Sequence, residues 1–222
     1  MTNYKTIQGK RVKFLSSDPP GSVGEGQIWY NSSDTEFKSS IKVAAWGSGG
    51  AIPTATSSIK GSGTLTAGIA FGGNVPSNTD ATFEYDGSSW TTGGSLNTGR
   101  VGIAGAGTQT ATLACQGSVS NPSPPPSTIA GNDTEEYNGS SWTTVNDTVT
   151  TKRNSPAALG TQTAAVGAIG GGDPSEAPTS TSEEYDGTNW TASATINTSR
   201  LNLSGTGTNT AGLIHGGATG PG

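Results

Sequence analysis

FEYDGSSW at 83–90, EEYNGSSW at 135–142 and EEYDGTNW at 183–190 are one phrase written three times. A second phrase follows each of them: Gly107-Thr108-Gln109-Thr110-Ala111, Gly160-Thr161-Gln162-Thr163-Ala164 and Gly207-Thr208-Asn209-Thr210-Ala211. An earlier copy, Gly63-Thr64-Leu65-Thr66-Ala67, stands as far after Trp46 as Gly107 stands after Trp90, so Trp46 belongs to the series although no EYDG-type phrase precedes it. A basic residue also recurs after each Trp, as Arg100, Arg153 and Arg200, with Thr56 in that place in the first unit. A period of roughly 48 residues is the mark of a solenoid or propeller, whose units bury their apolar faces only against neighbours and whose terminal unit is atypical.

Gly, Ser and Thr dominate the chain, and no stretch carries apolar side chains at helical spacing, so the reading is all-β. Small-residue strands are expected at 66–71, 110–115, 163–169 and 210–215, three of them closing on a Gly pair. A second strand ends at each Tyr of the repeated phrase, an Asp-Gly or Asn-Gly turn follows, and a third begins at Trp. A fourth is expected at 100–106, 154–159 and 201–206. Four short strands per unit is the content of one propeller blade.

The search for chemistry returns little. Cys115 is the one cysteine, so no disulfide forms within the chain, and its small-residue strand suits a buried structural thiol. His215 is the one histidine, and thiolate or imidazole metal sites lack ligands. Glu135-Glu136 and Glu183-Glu184 recur, but adjacent strand residues point to opposite faces, so neither pair lines one pocket. Gly47-Ser48-Gly49-Gly50 and Gly93-Gly94 lack the Lys and the helix of a phosphate cradle and read as turns. The expectation is a noncatalytic protein with no cofactor and no metal. A net charge of −5 without basic aromatic clusters argues against nucleic acid, and no apolar run is long enough for a membrane span or a leader peptide.

The repeats resemble the kelch repeat: an apolar strand ending in a Gly pair, a Tyr closing the next strand, a Trp opening the last, then an Arg. The resemblance covers 46–217 and implies a β-propeller of about four short-stranded blades. It departs from the usual pattern in the four residues that separate Tyr85 from Trp90, Tyr137 from Trp142 and Tyr185 from Trp190, where kelch blades usually have more. Each Trp would bury about 150–250 Å² against a neighbouring blade, roughly 4–6 kcal/mol of transfer free energy before entropy.

The first 45 residues differ. They are net positive and the remainder is net negative, and they read as an arm with a hairpin around Ser32-Ser33-Asp34 between strands at 27–31 and 37–45. The arm either closes the ring by donating strands or anchors the protein to another; a further solution has several copies completing one another as a homo-oligomer, because open edges invite pairing. The stretch SSDPPGSVGEGQIWYNSSDTEFKSSIKVAAW at 16–46 is similar to the N-terminal segment of tail-fibre and other virion proteins of bacteriophages that infect marine cyanobacteria. That resemblance implies a virion component made in the host cytoplasm: a tail fibre, tail appendage or receptor-binding accessory, or alternatively a capsid decoration protein, with other virion proteins or a host-surface component as partners. An intracellular kelch-type adaptor is the other reading. The domains expected are 1–45, an anchor or closing arm, and 46–222, the repeat domain.

One loop varies between repeats, at 74–80, 117–133 and 172–182. The middle copy is proline-rich and reads as extended and stiff, outside the sheet. Insertions at one place in successive repeats fall on one face, often the binding face. This makes Asn121, Pro122, Pro124, Pro125, Pro126, Asp173, Pro174 and Glu176 the candidate binding residues.

Overall fold

The computed structural model describes residues 13–17, 28–39, 49–121, 127–148, 153, 155–169 and 178–219, and within them all regular structure is strand and turn, with no helix. The chain divides into two compact units, Met1–Ser48 and Gly49–Gly222.

In the first unit β1 (Lys13–Leu15) runs parallel to β2 (Ile28–Asn31), and β2 is antiparallel to β3 (Glu36–Ser39). The hairpin expected around Ser32-Ser33-Asp34 is present. Its turn is held by Asn31, whose Oδ1 accepts the backbone N–H groups of Ser33 and Asp34 at 2.9 and 3.2 Å. Tyr30 and Phe37 face each other across it, their ring centroids 5.1 Å apart. The remainder of the second expected strand, from residue 40 on, lies outside the described residues.

The second unit is a series of like sheets. The first holds β4 (Lys60–Thr64), β5 (Ala67–Phe71), β8 (Thr82–Tyr85) and β9 (Trp90–Thr92), with a small hairpin of β6 (Asn74–Val75) and β7 (Ser77–Asn78) inserted between β5 and β8. The second holds β10 (Ala104–Thr108), β11 (Ala111–Asn121), β12 (Ser127–Tyr137) and β13 (Trp142–Val145). The third holds β14 (Ala157–Thr161), β15 (Ala164–Ile169), β16 (Glu183–Tyr185) and β17 (Trp190–Ala192). The last is a two-stranded ribbon of β18 (Leu201–Thr208) and β19 (Ala211–Ala218). Every pairing in these sheets is antiparallel.

Both repeated phrases are hairpins. The Gly-Thr phrase turns the first strand into the second, with Thr108 opposite Ala111 and two residues between. Gly107 has φ 117, and a Cβ there would lie 2.2 Å from the Ala111 carbonyl oxygen, so the position admits only glycine. The Tyr–Trp phrase turns the third strand into the fourth, with Tyr85 opposite Trp90. Here Asp86 Oδ1 accepts the N–H groups of Ser88 and Ser89, both at 2.8 Å, and Asn138 and Asp186 make the same turn in later sheets.

These turns carry a pH dependence. The Ser89 N–H, then the Ser88 hydroxyl and N–H, hold the Asp86 carboxyl well below the usual range, and the N–H groups of Asn189 and Thr188 lower Asp186. A carboxyl that titrates lower when folded lends its full stability above the unfolded value, near about 4, and loses it as the pH falls through the folded value. Asp86→Asn should leave the fold intact at neutral pH, as Asn138 shows that an amide makes this turn, and should flatten the acid limb of melting temperature against pH. An unaltered acid limb would remove this turn from the account.

The first strands of the sheets stack in a row: β10 packs against β4 and β14, and β14 against β18, whereas β4 and β18 make no contact of that extent. Apolar clusters fill the spaces between sheets. Ile69, Phe71 and Leu96 meet Ile103, Ala114 and Trp142 between the first and second; Ala104, Leu113 and Cys115 meet Ala158, Ala165 and Trp190 between the second and third. Small residues dominate because the sheets approach closely: a Cβ on Gly105 of the second sheet would lie 2.7 Å from the Phe71 ring of the first.

Two expectations need correction. The strands at 100–106, 154–159 and 201–206, read as the fourth of each unit, are formed as β10, β14 and β18 and pair forward as the first strand of the next sheet. The proline-rich insertion does enter the sheet. β11 and β12 continue past a bulge at Gln116 to pair Ser118 with Ala130, Ser120 with Thr128 and Asn121 with Ser127, because the serines, threonines and Ile129 beside the prolines suit a ladder and only 122–126 falls between the strands.

Candidate functional site

Polar side chains in recurring positions converge where one sheet meets the next. The link from β9 to β10 carries Arg100, fully buried, whose Nη2 donates to Glu135 Oε1 at 2.7 Å. Its Nη1 donates to the carbonyls of Gln116 at 3.1 Å and Asp133 at 2.7 Å, while Nε has no acceptor. Gln116, with φ 58, stands opposite Asn132 and Asp133 where the ladder's register shifts, and the carbonyls of Gln116 and Asp133 both meet the guanidinium there. The second oxygen of Glu135 accepts the backbone N–H of Asn97 at 2.7 Å. Arg153 repeats the arrangement toward the third sheet: it is buried, bonds the Thr181 carbonyl at 3.0 Å and the Thr181 hydroxyl, and feels the charge of Glu183.

The adjacent carboxylates face the other way and serve the following sheet. Tyr137 donates to Glu84 at 2.6 Å and Tyr185 to Glu136 at 2.9 Å. Burial, then Glu84, pushes the Tyr137 hydroxyl up to about 12, so it stays a donor throughout the neutral range. Trp142 Nε1 donates to Thr82 at 2.9 Å and Trp190 Nε1 to Thr134 at 3.1 Å. Gln109 reaches back from its turn to the carbonyls of Gly68 and Tyr85, and Gln162 to those of Thr112 and Tyr137. The glycines after Trp46 and Trp90 keep this register: a Cβ on Gly93 would meet the Tyr137 hydroxyl at 2.9 Å, and one on Gly49 would meet the Tyr85 hydroxyl at 3.1 Å.

Of the residues expected to bind, Asn121 ends β11 opposite Ser127. Pro122, Pro124, Pro125, Pro126, Asp173, Pro174 and Glu176 lie outside the described residues. The described part of the first insertion leans on the second, with Asn78 Nδ2 donating to the Ser118 carbonyl at 2.7 Å. Cys115 is fully buried, and His215 is exposed on β19. Among the described residues no three His, Cys, Asp or Glu side chains gather as a metal site would require, and no helix is long and apolar enough to cross a membrane.

In the sequence the recurring Arg and Glu stand far apart, and no local pattern shows that they pair. A signal was available: the first unit, with Thr56 in place of Arg, has Phe83 in place of Glu. The two positions change together. No protein-family model matches this chain, and no curated protein matches it.

Proposed function

We propose that this chain is a noncatalytic structural component of a bacteriophage particle, kelch-like in its repeats, with the sheets of its second unit as successive propeller blades. In this reading it acts as a tail fibre, tail appendage or receptor-binding accessory, with the positively charged arm engaging other virion proteins and the insertion loops facing outward. The observation that carries the noncatalytic part is the use of the recurring polar groups. Arg100, Glu135, Glu84, Glu136, Tyr137 and Tyr185 are engaged with one another across the sheet interfaces. The virion part is supported by the GQIWYNSSDTEFK segment ahead of the repeats.

Deleting residues 1–20 tests the role of the arm. The deletion takes β1 out of the first unit's sheet, but the second unit should melt as it does in the full chain, and mass spectrometry of purified particles should find the full chain and miss the truncated one. Absence of the full chain from particles would reject the virion reading, and loss of the second unit's melting transition in the truncated chain would make the segment part of the repeat fold instead of an anchor.

A further inference from the structure

Asn138 stands in the second sheet's Asx turn where the first and third have Asp86 and Asp186, and it is the only asparagine of the sequence followed by glycine. It is exposed. Its Oδ1 accepts the backbone N–H groups of Ser140 and Ser141 at 3.0 and 2.9 Å, and their hydroxyls at 2.9 and 3.4 Å. These donors make the turn, and they also polarise the carboxamide. When a nucleophile adds to Cγ, the negative charge that develops on Oδ1 meets donors already in place, the arrangement of an oxyanion hole. One residue on lies the Gly139 nitrogen, with φ 91 at that residue and no side chain to crowd it. Among the described residues its N–H has no acceptor, and neither has Nδ2 of Asn138, the group that must leave.

We propose that Asn138-Gly139 is a self-modification site, at which the folded chain deamidates. The Gly139 nitrogen gives its proton to hydroxide or water and adds to Asn138 Cγ; the bond from Cγ to Nδ2 breaks, ammonia leaves, and a succinimide closes. Water then adds to one ring carbonyl and the ring opens, so the balance is one water in and one ammonia out, with no oxidant and no cofactor. Opening at Cγ leaves aspartate, and opening at the main-chain carbonyl leaves isoaspartate. The first product fits this turn, since Asp86 and Asp186 make the same bonds in their sheets. It is also an end point: the Ser89 N–H, then the Ser88 hydroxyl and N–H, keep Asp86 ionised far below neutral pH, and a carboxylate is a poor electrophile. The second product lengthens the main chain inside the turn that sets Tyr137 opposite Trp142. It does so where the first sheet's link packs tightest, a Cβ on Gly94 lying 2.2 Å from the Ser140 carbonyl oxygen. Either product adds one negative charge to the formal −5, so the charge on this turn changes with the age of the protein. The proposal is independent of the virion reading.

The test ages the full chain, folded, in mildly alkaline heavy-oxygen water, then digests it and reads each asparagine by mass spectrometry. Position 138 should lose ammonia and take up labelled oxygen ahead of every other asparagine, at a rate that rises with pH as the Gly139 nitrogen loses its proton. Ser140→Ala keeps the N–H and removes one hydroxyl donor to Oδ1, and it should slow the conversion by roughly 3- to 10-fold, less than at a water-excluded oxyanion hole because the turn is exposed. A Ser140→Ala protein that melts with the wild type excludes a loosened turn as the cause. Conversion at 138 in urea but not in the folded chain would overturn the proposal, because the turn then holds the carboxamide away from the Gly139 nitrogen. An equal or faster rate in Ser140→Ala would overturn it as well.

Discussion

Glu135→Ala should destabilise the second unit by about 3–5 kcal/mol, because it strands the Arg100 guanidinium in a site from which water is excluded. Arg100 is 0% and Glu135 1% exposed, so neither group regains hydration when the other is removed. For a chain of this size each kcal/mol is worth roughly 2–4 °C, which puts the expected fall in melting temperature well beyond experimental error. The repeats also name the remedy. Arg100→Thr with Glu135→Phe, the pair at Thr56 and Phe83, removes both charges together and should recover much of the loss. Should Glu135→Ala melt with the wild type, the ion pair is no determinant of the interface. Should the double substitution fare worse than Glu135→Ala alone, the joint change in the first repeat is not a matter of charge compensation.

What could be read from the sequence was what is local. The Tyr–Asx–Trp hairpins follow from four consecutive residues, and the Asp86, Asn138 and Asp186 turns form where the phrase placed them. The grouping of strands into sheets was harder to see. Arg100 and Ala104 follow Trp90 closely, yet β10 leaves that sheet and pairs with β11. Contiguity in sequence suggested one unit, and hydrogen bonding put the boundary at the Arg link. The interface partners were least visible because they are remote: Arg100 meets Glu135, and Tyr137 meets Glu84, in another sheet. Only comparing repeats position by position exposes such pairs, through joint changes such as Thr56 with Phe83. The insertion at 117–133 is hard to read for a different reason, since its prolines fall only at positions between 122 and 126 of the sequence and say nothing about the Ser, Thr and Ile residues that flank them.

Trp142→Ala is expected to cost about 3–5 kcal/mol, while Trp90→Ala costs markedly less, although the two occupy the same place in their repeats. Trp142 is 5% exposed, lies 5.0 Å from Phe71 of the preceding sheet and from Tyr137 of its own, and gives its indole N–H to Thr82. Removing it opens a cavity against a rigid neighbour and leaves the Thr82 hydroxyl without its donor. Trp90 keeps its stacking partner, Tyr85 at 4.9 Å, but is only half-buried, so part of its surface already faces water. In a repeat array the energy of an aromatic at an interface depends on the preceding sheet it packs against, and the difference between these two tryptophans measures that coupling directly. Thermal melts of the two variants decide the matter. An unchanged Trp142→Ala would mean that the interface is not where the stability lies, and equal losses would mean that the energy resides within each sheet and not between sheets.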